Sequence, residues 1–147
     1  MGIEDLSERV FPNDGDGETH PAPLTADIGA AGLLIEASLR DGAYTEVERD
    51  LVTGTLMKLF RLPRPKAVEL RKTAEAAQAR STTIMGFATS AAKLSADDRA
   101  QLVTCLWQIL GSDDAEHAPE SQVLGTTESV FGLTRQQLLA LRPKDGA

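Results

Sequence analysis

Residues 33–62, LLIEASLRDGAYTEVERDLVTGTLMKLFRL, leave this chain few ways to fold. They read as an apolar helix, a short acidic turn, and a second helix opened by a capping signal. A shortened echo follows at residues 102–133, LVTCLWQILGSDDAEHAPESQVLGTTESVFGL. In each copy an Asp after the first helix precedes a Glu by seven residues: Asp41 and Glu48, then Asp113 and Glu120. The repetition predicts a helical module in two similar halves with an acidic site.

Aromatic residues make up only 4 % of the chain, and no long β-branched alternation occurs, so a sheet has little to build on. The expected fold is all-α: a single helical domain of two pseudo-repeated halves, with about seven to eight helices. At 147 residues one domain with one core is the natural size. Residues 1–23 are expected to hold a short helix at 4–11 followed by the acidic flexible linker PNDGDGETHPAP. Asp14, Asp16 and Glu18 alternate like the start of a calcium loop, but its closing Glu would fall at Thr25, so a linker is the better reading. The domain proper covers residues 24–142, and 143–147 form a tail.

Within the domain, Ile28, Ala31, Leu34, Ile35 and Leu39 are spaced for a buried stripe on the first helix. Gly29 and Gly32 lower its propensity and allow a neighbour to approach closely. Thr45 with Glu48 three residues on is a capping box, and Pro63 and Pro65 punctuate the end of the second helix. Residues 66–80 and 83–94 give two amphipathic helices. Ser95 starts the most apolar one, reaching Leu110 through Leu102, Val103, Leu106, Trp107 and Ile109. Pro119 opens another, Gly132 ends it, and Thr134 caps a last helix carrying Leu138, Leu139 and Leu141.

The formal net charge is -7, and the Lys and Arg residues are scattered singly, which argues against nucleic-acid binding. The lone cysteine, Cys105, rules out an internal disulfide and a thiolate metal cluster; in so apolar a helix it reads as an inert buried thiol. The N-terminus lacks the pattern of a secretory signal, and Leu6 stands where a myristoylation motif requires Ser or Thr. The longest near-apolar run, residues 28–35, is far too short to insert into a membrane, so a cytoplasmic location is expected. Two histidines, His20 and His117, accompany no credible nucleophile, and Glu-x-x-His pairs for a di-metal bundle are absent. No enzymatic activity is expected.

The acids remain. An Asp at a helix C-terminus faces the negative end of the macrodipole. At ~100° per residue, Glu48 falls in the arc of Leu51, Val52, Thr55 and Leu59, and Glu120 in that of Val123, Leu124, Thr127, Val130 and Phe131. A carboxylate turned to a packed side needs compensation from backbone N–H groups, an Arg or a cation. Asp41, Glu48, Asp113 and Glu120 are therefore candidate ligands of a divalent cation, with oxygen donors suited to Ca²⁺, Mg²⁺ or Mn²⁺. Each acid also has a purely structural explanation as a cap, a turn or a solvated loop. The alternative function is a metal-free protein-interaction adapter whose acidic face docks a basic partner.

The pattern LLIEASLRDGAYTEVERDLV, then LSADDRAQLVTCLWQIL, an acidic turn, and VFGLTRQQLLALR resembles the tellurite-resistance TerB-like family over roughly residues 27–142. Its most specific parts are Arg40-Asp41-Gly42 with Glu48, and residues 94–107 with Arg99, Leu102, Leu106 and Trp107. The resemblance implies two similar helical halves whose acids converge on one acidic face, without enzymatic activity. It further implies a role in tellurite or general chemical-stress responses, metal binding, and a membrane-protein or stress-complex partner. The second turn departs from the family pattern: in GSDDAEHAPE the glycine is displaced and His117 intrudes, which makes His117 a further possible ligand.

Overall fold

The computed structural model describes residues 24–41, 44–80, 82–110 and 122–143. These residues form seven helices and no strand: α1 (Ala26–Asp41), α2 (Glu46–Phe60), α3 (Arg64–Ala79), α4 (Ile84–Ala91), α5 (Ala96–Leu110), α6 (Gln122–Phe131) and α7 (Arg135–Ala140). The stretches that echo one another in the sequence are α1–α2 and α5–α6. The short helix and calcium-like pattern read at the N-terminus, and the frayed tail after 143, lie outside the described residues.

Local chemistry sets most helix ends. Thr83 accepts the N–H of Gly86 at 3.0 Å to start α4, and Ser95 accepts that of Asp98 at 3.1 Å to start α5. Thr134 and Gln137 form a full capping box on α7. Gly132, at φ 71°, ends α6 in the left-handed region, with the Leu133 N–H reaching Glu128 O at 3.0 Å. Arg61 ends α2 in the same conformation, at φ 54°, and the Leu62 N–H reaches Met57 O at 3.1 Å.

Helix α1 is the spine of the core: it contacts α2, α3, α4, α5 and α6. Ala30, Ala31, Leu33, Leu34 and Ala37 are fully buried along it. Its closest neighbour is α4. A Cβ on Gly29 would lie 2.5 Å from Phe87 O, and one on Gly32 would lie 2.2 Å from the Phe87 ring. The two glycines thus make room for α4, as their spacing suggested. Leu39 departs from the expected stripe and is 37 % exposed, because it lies in the last turn, beyond the helices that cover the middle of α1.

The remaining elements are tied on by specific polar bonds. The Arg99 guanidinium donates to Ala92 O (3.1 Å) and Leu94 O (2.7 Å), satisfying carbonyls past the end of α4 and fixing the α4–α5 corner. Fully buried Trp107 donates its indole N–H to Leu138 O at 3.0 Å, and Thr104 donates to Leu141 O at 2.8 Å, so α5 holds α7. Tyr44, just ahead of α2, donates to Glu75 Oε2 on α3 at 2.6 Å, beneath the Arg49 guanidinium. Burial, then the bond to Glu75, push its phenol well above the usual tyrosine range.

Candidate functional site

The last two turns of α1 carry Glu36 and Arg40 one turn apart, with Arg40 Nη2 3.8 Å from Glu36 Oε1. Glu36 is only 8 % exposed, in a helix whose neighbouring positions are core. The pair opens onto a cavity of about 440 Å³. Thr83 and Met85 at the start of α4 and Gln122 and Thr126 on α6 line its other sides. The fold therefore brings the end of α1 and the start of α6 to one cavity. Asp41 is the last residue of α1, and in the sequence Glu120 lies two residues before Gln122.

Glu48 is the one predicted acid whose side chain is described. Its Oε1 accepts the backbone N–H of Thr45 at 3.0 Å and also the Thr45 hydroxyl. These bonds, the hydroxyl first, lower its pKa below the ordinary carboxylate value, against a small opposing effect of burial. The expected capping box is present. The expected arc is kept only in part: Val52 and Leu59 are buried as expected, but Leu51 is 56 % exposed and Thr55 half-exposed, while Thr53 and Leu56 are buried beside them. Glu48 is half-exposed and folds back over the first turn instead of pointing into the packing, because the cap supplies donors that the core does not.

On α6 the expected arc holds, with Val123, Leu124 and Thr127 fully buried and Val130 and Phe131 packed against the core. Asp113, His117 and Glu120 lie outside the described residues. Among the described residues no three His, Cys, Asp or Glu side chains cluster closely enough to hold a metal ion. Half-buried Cys105 has its thiol pushed up by desolvation, with Lys58 acting in the opposite direction.

A family model, tellurite resistance protein TerB, matches residues 27–143 and so spans all seven helices. The chain belongs to the TerB family. Neither the curated proteins nor the solved structures gave a significant match. In this TerB member no helix among the described residues is long and apolar enough to cross a membrane.

Glu36 escaped sequence reading, and Arg99 was read only as part of the family pattern, without its role. Glu36 carried a signal, since it stands four residues after Gly32 and three after Leu33, both on the packed side of α1. Arg99 carried none beyond the family pattern, because its targets are carbonyls of a preceding corner that only the tertiary path defines.

Proposed function

We propose that this TerB-family module is a non-enzymatic, cytoplasmic cation-binding protein of a tellurite, metal or general chemical-stress response. Asp41, Glu48, Asp113 and Glu120 hold a divalent cation, Ca²⁺, Mg²⁺ or Mn²⁺, whose binding alters how the module engages a membrane-protein or stress-complex partner. The cavity shared by the end of α1 and the start of α6 supports this reading, because Asp41 follows its lining residue Arg40 and, in the sequence, Glu120 lies two residues before its lining residue Gln122. The chemistry of Glu48 fits it. Both bonds from Thr45 fall on Oε1, and the lowered pKa keeps the carboxylate charged, as a hard cation requires. A bound cation would supply a charge that draws the acids of the two halves together.

A metal-free adapter with an acidic docking face is the second reading, favoured by the fact that Glu36 and Glu48 already have protein partners in Arg40 and Thr45. Titration with Ca²⁺, Mg²⁺, Mn²⁺ and Zn²⁺, followed by thermal unfolding and Trp107 fluorescence, separates the two. Cation binding predicts saturable stabilisation, about 2.7 kcal/mol at a hundredfold excess over Kd. Asp41→Ala/Glu48→Gln and Asp113→Ala/Glu120→Ala would each abolish it. Folded protein indifferent to every ion would sink the cation reading and leave the adapter.

A further inference from the structure

Helix α2 has a second apolar face that none of the described residues covers. Val47 is 66 % exposed and Leu51 56 % exposed, one turn apart. Gly54 continues the strip, and a Cβ there would meet no atom within 4 Å. Exposed Lys58 closes it. At 100° per residue these four positions span an arc of roughly 60°, opposite the buried Leu56 that faces the core. Two exposed aliphatics beside an open glycine are a knob beside a hole.

The charges along α2 are ordered as well. Exposed Glu46 and Asp50 flank the strip in its first half, and Lys58 and Arg61 stand at its end. We propose that this face pairs with the same face of a second copy of the chain, α2 crossing α2 antiparallel about a twofold axis. An axis between residues 52 and 53 sets Leu51 against the partner's Gly54 and Val47 against the aliphatic stem of the partner's Lys58. The same register brings that ammonium beside Glu46, next to Asp50, which Arg64 already holds at 3.1 Å, and symmetry repeats each contact. A parallel crossing would set like charges together. One helix crossing buries less than a standard interface, so the dimer is weak and concentration-dependent. The site of the proposed cation does not enter this pairing.

Sedimentation equilibrium of the full chain over a wide concentration range tests it. The expected result is a monomer–dimer equilibrium whose Kd rises at least about tenfold in Leu51→Glu and in Gly54→Gln. Both positions face solvent in the monomer, and circular dichroism checks that each variant remains helical. Glu46→Lys and Lys58→Glu would each weaken the dimer, and the double variant would restore it. A chain monomeric at every concentration, or a dimer indifferent to Leu51→Glu and to charge exchange, would overturn the proposal.

Discussion

A glutamate in the third position of a helix can reach back to the residue that begins it, and Glu48 does so with one oxygen. This makes the first turn of α2 sensitive to acid. The Glu48 pKa is lowered by folding, so the capped carboxylate contributes stability that is present above its ordinary value of 4.5. That contribution is lost as the pH falls through the lower folded value. Thermal unfolding of wild type and Glu48→Gln should therefore differ most near neutrality and converge below the ordinary value. Curves that stay parallel across this range would show that the carboxylate's charge is not what the cap uses. The box itself was legible in four consecutive residues, because capping is local. The direction of the side chain was not: α2 has apolar residues on two faces, and periodicity alone does not say which one meets the core.

Between elements, the α1–α4 contact depends on the absence of side chains. Phe87 is fully buried against Gly32, with ring atoms 2.2–2.5 Å from where a Cβ would lie. Gly32→Ala gains up to about 1 kcal/mol of helix propensity and meets an overpacking cost of about 1–3 kcal/mol. Net destabilisation is expected on denaturant unfolding. Gly86→Ala is the counterpart, since its Cβ would stand 3.4 Å or more from Thr82 and Thr83 and should stabilise α4. Equal effects at the two glycines would refute the close approach. The Gly29–Gly32 spacing announced that some neighbour comes near. Which neighbour it is depends on contacts some 55 residues apart along the chain, and no local pattern encodes that.

At the scale of the molecule, the C-terminal helix is secured from within the core. Short α7 buries Leu138 and gives its carbonyl to the Trp107 indole, while Thr104 holds Leu141 O. Trp107→Phe should cost about 2–4 kcal/mol through lost volume and the lost bond. It should also raise amide exchange in α7 before that in α1; uniform loosening of the whole chain would contradict this anchoring. The all-helical class and the succession of helices from α1 to α7 could be read in advance, since Thr, Ser, Pro and Gly mark their ends. The candidate site could be read only as spacing, because the relative placement of turns far apart in the chain is a property of the assembled helices and not of any local pattern.

The central place of α1 has a consequence for synthesis. Helix α1 is made before the five helices that contact it, and its last partner, α6, is completed roughly 100 residues later. At about 5–20 residues per second, its apolar flanks stay uncovered on the ribosome for roughly 5–20 s. For that interval the nascent chain presents Leu33, Leu34 and Ile35 to whatever binds hydrophobic segments, so the yield of folded protein should track chaperone capacity more closely than its modest size suggests.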